Sequence, residues 1–434
     1  MKPIVYIVHG IDVEGPMTEN LQATFERMRG YGLPSSIPIT HDNLSKIQDG
    51  RMDGLEVTLA AKLKLIFNRD SLAYLTDWDQ IDKAMANVMS DDFRRKHCSK
   101  NGEPYLFSWF IYDHHEGFSN NPRYHDVGTH HIFDHYMDGA LKDCPFNDGV
   151  YWHYHHPAPS GDALESGTCW SNNAVHEEII AKRIIDRQWY SSCFRAGLHI
   201  ERNDMSHWLE MFIPFDFSAR YVKDNSDYMP GSDFDWRNCS DRWGAWNPDW
   251  YDYRLEGGMK RHLFRCTDLS TYLSKLKEDE VEEAFDQAQQ YGSSVLTYYN
   301  HDYRDMQSEI ESGYEVILSV SRRYPEVDFK YVTALEAARL HLNLSAKPPK
   351  LSYQLHENKL EVTCASPIFG PQPFLAIKEE GRYFRDNFTA EGNGKWVYQF
   401  RRPNFVEAFG IAVNNLNGDF DVVTGTLEGT RNGQ

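Results

Sequence analysis

Long apolar runs are missing from this 434-residue chain. No stretch of about 18 apolar residues occurs, which excludes a membrane-spanning helix. No signal peptide is expected, because Lys2 leads directly into core sequence without a small-residue cleavage site. Cysteine is scarce: the seven residues at 98, 144, 169, 193, 239, 266 and 364 are odd in number and lack the paired spacing of zinc motifs. That scatter excludes a disulfide scaffold and predicts reduced thiols in a cytoplasmic protein. Basic residues are also short, 45 against 64 acidic, for a net charge of −19. The deficit excludes general binding to nucleic-acid backbones. Tandem repeats and low-complexity segments are absent as well.

What is present is aromatic: 14% of the chain, with 11 Trp and 25 Tyr, inside a hydrophobic content of 41%. That composition supports a sizeable core, and the length suggests two domains or three. The N-terminus carries the strongest local signal. Ile4-Val5-Tyr6-Ile7-Val8 reads as a buried strand, broken at Gly10 and followed by Asp12-Val13-Glu14. In an extended backbone Asp12 and Glu14 point the same way. Strand ends in α/β proteins open onto ligand crevices, so the two acids suit a metal site or an acid–base pair. A solvated loop is the plainer alternative.

Residues 17–100 are helical in pattern, with Leu59, Leu63 and Ile66 on one face, and form a large insertion. Further strands are expected at 105–112, ending in Asp113-His114-His115; at 149–152, ending in His153-Tyr154-His155-His156-Pro157; at 212–216, ending in Asp216; and at 294–299, ending in Asn300-His301-Asp302. Helices are expected at 129–142, 173–189, 279–291, 310–323 and 334–342. The alternation indicates parallel βαβ units, with a barrel favoured over an open sheet. Residues 219–280 are a second insertion, rich in Trp, Tyr and Asp. After a linker at Lys347-Pro348-Pro349-Lys350, short alternating segments with Asn-Gly turns predict an all-β sandwich over 347–434.

Several clusters suit chemistry. His153 and His155 share a face if the strand continues, and His153 and His156 do if the chain turns helical. Either pair with Glu14 or Asp12 gives two imidazoles and a carboxylate, leaving positions for water and substrate. A satisfied aromatic–histidine patch is the alternative. His130, His131 and His135 form a second candidate cluster at helical spacing. His301 could act as a general acid, oriented by Asp302 or Asp305. Arg195 could hold a carboxylate charged, or pair structurally with Asp216. Trp236, Trp243, Trp246, Trp250, Tyr251 and Tyr253, interleaved with Asp235, Asp249 and Asp252, suit stacking on sugar rings, or simply pack their loop down. Trp152, Trp246 and Trp250 are the candidate substrate-binding rings.

The order strand–Asp-Val-Glu, strand–His cluster–Pro, helix, Phe-Arg and strand–His resembles the polysaccharide deacetylase (NodB-homology) superfamily, carbohydrate esterase family four and its relatives, over roughly 1–342. The resemblance implies a distorted (β/α)7 barrel. It implies Asp12 as general base, Glu14 and two of His153, His155 and His156 as metal ligands, Arg195 as the residue steadying the base, and His301 as the acid for the leaving amine. The sequence departs from the family pattern at three points: Asp12-Val13-Glu14 replaces Asp-Asp, His153-Tyr-His-His156-Pro is shorter than His-x-x-x-His-Pro, and Ala196-Gly197 stands in place of Pro-Tyr. The expected activity is metal-dependent amide hydrolysis, with a divalent ion, zinc, and an N-acetylated sugar as substrate. A glycoside hydrolase using Asp12 and Asp216 about 5–9 Å apart without an ion, and a carbohydrate-binding protein without chemistry, are the rivals.

Overall fold

The computed structural model describes residues 2–113, 126–157, 169–220, 236, 239–270 and 275–427. His114, His115 and Asp235 lie outside them. Among the described residues the first 346 positions supply strands β1 (Ile4–Val13), β2 (Ser108–Ile111), β3 (Gly149–Tyr154), β4 (Cys193–Ala196), β5 (Phe215–Ala219), β6 (Ala245–Trp246), β7 (His262–Arg265), β8 (Thr267–Asp268), β9 (Ser293–His301) and β10 (Asp328–Tyr331). The helices are α1 (Leu21–Gly30), α2 (His41–Asp49), α3 (Val57–Ile66), α4 (Trp78–Val88), α5 (Asp91–Lys96), α6 (His131–Asp138), α7 (Val175–Arg187), α8 (Asn203–Phe212), α9 (Glu278–Tyr291), α10 (Met306–Ser321) and α11 (Ala334–His341).

The strands form one curled, barrel-like sheet in the order β6-β7-β5-β4-β3-β2-β1-β9-β8, with β10 also on β1. Every pairing is parallel except β6 with β7. β7 lies against β5, and β8, one residue further along, lies against β9. The centre of the sheet is buried on both faces, which is why β1 reads as an almost unbroken apolar run. Gly10 does not end this strand. A side chain there would sit 3.3 Å from the Phe110 ring, so glycine lets the neighbouring strand pack close. β1 therefore continues to Val13 and carries Asp12 on the strand itself.

α8 replaces the start of the strand expected at 212. Met205, Trp208, Leu209 and Phe212 recur at helical spacing and are buried against α7, β3 and β4. Consequently β5 begins at Phe215, and Asp216 is its second residue instead of its end. α1, α2 and α3 of the long insertion close on a small core of their own, including Phe25, Met28, Leu63 and Ile66.

Beyond the linker lie β11 (Leu351–His356), β12 (Lys359–Cys364), β13 (Phe374–Glu379), β14 (Arg382–Asp386), β15 (Thr389–Gly392), β16 (Lys395–Gln399), β17 (Val406–Asn414) and β18 (Phe420–Gly425). They form two four-stranded antiparallel sheets sharing one core, in the orders β11-β12-β16-β15 and β14-β13-β17-β18. The second sheet packs on α7 and α8, where Phe374, Ala376 and Ala412 join Ile180, Ile184 and Phe212. Among the described residues no helix is long and apolar enough to cross a membrane.

Candidate metal centre

Strand register brings the site together. Asp12 on β1 is the in-register neighbour of His301 on β9, and His153 on β3 is the neighbour of Arg195 on β4. All four stand at the carboxyl ends of parallel strands, facing the interior of the curl. Glu14 follows one residue after β1 ends, on the same side as Asp12.

Asp12 is held by Arg195, whose Nε donates to Oδ1 at 2.6 Å. Burial alone would raise the Asp12 pKa. Arg195, with His153 and His301, outweighs burial and holds it below the usual carboxylate value. Burial likewise opposes the charge on Arg195, but Asp12 and other neighbours raise its pKa further. The guanidinium also lies 3.7 Å from the Tyr299 ring centre, and its Nη2 donates to His199 Nε2 at 3.3 Å. Asp12 thus presents Oδ2 as its free face, 3.9 Å from His301 Nε2.

His153 Nδ1 donates to the Arg195 carbonyl at 2.9 Å. That bond fixes the tautomer and turns the Nε2 lone pair inward. His153 Nε2 lies 3.1 Å from His155 Nε2, and the two lie 3.8 Å and 3.5 Å from Glu14 Oε1. Donor atoms bound to one ion at ~2.1 Å in a tetrahedron stand about 3.4 Å apart, so Glu14, His153 and His155 form a cluster able to hold a cation. Burial opposes the Glu14 charge, but His153 and His155 bring its pKa well below the ordinary value.

Two devices hold this cluster that the sequence did not advertise. Asp302, read there as a partner for His301, instead accepts from the backbone N–H of Glu14 at 2.9 Å and of Gly15 at 3.0 Å, and from the Tyr136 hydroxyl at 2.7 Å. It clamps the turn that presents Glu14. Tyr112 packs beside both histidines, 4.9 Å from the His155 ring centre and 5.9 Å from His153. His301 Nε2 is also 3.8 Å from Glu14 Oε1. Burial, with Arg195 and Arg304, lowers the His301 pKa to about 4 despite the two nearby carboxylates. It is therefore held neutral near pH 7, and a general-acid role requires that a proton be delivered to it first.

Other expected residues lie elsewhere. His156 does not join His153. The chain stays extended, so alternate side chains face opposite ways: His153 and His155 point inward, while Trp152, Tyr154 and His156 point outward. His156 Nε2 meets Asn172 Oδ1 at 3.0 Å, and its Nδ1 meets the Tyr154 hydroxyl at 3.2 Å. Trp152 is core, stacked with Tyr154 and packed on Trp170, Phe194 and Trp208, and cannot meet a substrate there. Trp246 is buried with Trp236, Tyr253 and Leu263, leaving its loop packed down on itself. Trp250 and Tyr251 are exposed, at 44% and 87%. Asp216 is engaged by Arg261 at 2.8 Å, with Glu201 as the second acid on the same guanidinium. His131 and His135 each bind their own carboxylate, Asp126 and Asp82, at 2.7 Å. His130 sits beside the Asp113–Arg183 pair.

No family model matches the chain, and no curated protein matches it. Among solved structures it is similar to a protein from Parabacteroides distasonis, provisionally described as a glycoside hydrolase/deacetylase, at 9% identity and a TM-score of 0.37 over 88% of this chain and 85% of that one. A superposition that loose transfers neither a residue role nor an activity.

Proposed function

We propose that Glu14, His153 and His155 hold one divalent cation, most simply zinc, and that the chain hydrolyses an amide, the N-acetyl group of an amino sugar being the simplest substrate. The observation that carries this reading is the approach of two inward imidazole nitrogens and a carboxylate to within 3.1–3.8 Å of one another, beside a second carboxylate already neutralised by arginine. Nitrogen and oxygen donors of this kind suit zinc, and three protein ligands leave room for water and substrate. Residues 1–346 are read as a distorted (β/α)7 barrel with insertions. In support, β7 and β8 together bridge β5 to β9 and would complete a ring of seven strand positions.

When bound, zinc supplies Lewis acidity that polarises the acyl oxygen and lowers the pKa of water. The chain's own groups do the rest. Asp12, kept ionised by Arg195, takes the proton of the attacking water on Oδ2. His301 enters neutral, so the proton it gives to the departing nitrogen is the one Asp12 received 3.9 Å away. A C–O bond forms and the C–N bond breaks, releasing an amine and a carboxylic acid, whose own proton passes to solvent as it ionises. Exposed Trp250 and Tyr251 are the remaining candidates for stacking on sugar.

The test is acetate release from N-acetylated sugars by zinc-loaded protein, with and without chelator. Release that stops with chelator, and falls by at least about 10²-fold in Asp12→Asn, is expected. No release from a broad panel by zinc-loaded protein contradicts the reading. Acetate release that is indifferent to chelator overturns the cation's role, and release of reducing sugar without acetate favours the ion-free glycosidase class instead.

A further inference from the structure

We propose that Gly197 is a positioning residue for His155, and that its missing side chain lets this imidazole complete the cation cluster. The inference rests on the reading of Glu14, His153 and His155 as a shared site. A Cβ placed on Gly197 would lie 2.3 Å from both Cγ and Cδ2 of His155 and 2.5 Å from its Nδ1. Carbon atoms in contact sit about 3.5–4.0 Å apart, so the ring and a side chain at 197 cannot occupy their places together. The atoms met belong to the rigid imidazole itself, close to its root.

Conformational need does not explain the glycine. Its backbone lies outside the left-handed region that favours glycine, so alanine is permitted there on backbone grounds. The neighbours that do adopt positive φ are Leu198, at 51°, and His199, at 54°. The steric constraint at 197 falls on one side chain, His155.

The surroundings leave the ring little choice. Tyr112 packs on His155 at 4.9 Å between ring centres, so the imidazole is held between that ring and the Gly197 backbone. Gly197 also follows directly on β4, whose Arg195 carbonyl fixes the His153 tautomer. The same short stretch thus orients His153 through a hydrogen bond and makes room for His155 by lacking a side chain. The His155 side chain is 15% exposed, so a ring displaced by a methyl group can swing toward solvent without disturbing the core.

The test compares the full-length parent, Gly197→Ala, His155→Ala and the double variant, all stripped with chelator and titrated with zinc by calorimetry. Gly197→Ala is expected to weaken zinc binding about 10–100-fold, the range for residues that orient a ligand. Its thermal unfolding in excess chelator should match the parent, and cobalt(II) bound in place of zinc should show the altered visible bands of a site that has lost a nitrogen. On the His155→Ala background, Gly197→Ala should cost nothing further, because the ring it displaces is gone.

Gly197→Ala binding zinc as tightly as the parent, or losing as much affinity on the His155→Ala background as alone, overturns the inference while leaving the site reading intact. Equal zinc binding by the parent and His155→Ala overturns the site reading, and this inference with it. If Gly197→Ala does not fold but the double variant does, the clash with His155 is confirmed. If neither folds, the glycine serves another purpose and the proposal fails.

Discussion

Asp302 fixes the turn that presents Glu14. Its carboxylate accepts two backbone N–H groups of the Glu14 turn and the Tyr136 hydroxyl, with no exposure to solvent. Asp302→Ala leaves those donors buried and unmatched. The expected loss is about 2–3 kcal/mol of stability, read by urea unfolding, together with weaker zinc binding as Glu14 loses its fixed position. Unchanged zinc affinity would show that Glu14 does not need the clamp. At this scale much of the site was readable: Asp12, Glu14, His153, His155, Arg195 and His301 all stand at strand ends the sequence marks by polar residues after apolar runs. Which of His155 and His156 faces inward was not readable, because it depends on whether the backbone stays extended beyond Tyr154, a tertiary matter. The contribution of Gly197 was invisible for a related reason: a missing side chain signals nothing until the neighbour that fills its space is known.

At the scale of elements, β9, α7, α9 and α11 lie within two residues of their expected bounds, whereas β1 and β3 begin where expected and run on, β1 past Gly10 to Val13. α8 was hidden although its spacing of 205, 208, 209 and 212 was present, because Phe212-Ile213-Pro214-Phe215 looks like a strand. Its outer neighbour is the sheet containing β13 and β17. Asn414 Nδ2 donates to the carbonyls of Ser191 at 2.8 Å and Phe212 at 2.9 Å, and Gly410 leaves space that Ile184 fills. The antiparallel sheets therefore cover apolar faces of α7 and α8 and satisfy backbone at their ends. Truncation after residue 346 is expected to lower the midpoint of thermal unfolding and to expose surface that binds a hydrophobic dye. A fragment as stable and as dye-silent as the whole chain would show that the contact is incidental.

Across the whole molecule, buried neutral histidines weaken the fold in acid and outnumber the buried carboxyls of Asp302, Glu201 and Asp216, whose pKa values burial raises and which act the other way. Burial lowers His9 to about 4 against its contact with Asn300, His176 to about 3, and His262 to about 4. Each folded value lies below the unfolded 6.5. Between those values the unfolded chain binds more protons than the folded one, so stability is full above about 6.5 and declines as pH falls toward 4. Urea midpoints measured from pH 7 to pH 4.5 should drop steadily, and His9→Gln should flatten the slope if the fold accepts it. A midpoint that rises on acidification would contradict this picture.

The shared cation is tested most directly by anomalous diffraction at the zinc absorption edge from crystals of the zinc-loaded protein. The account predicts one strong peak about 2.0–2.2 Å from His153 Nε2, His155 Nε2 and a Glu14 oxygen. Zinc bound only at other positions, with those three groups turned away from one another, would contradict it.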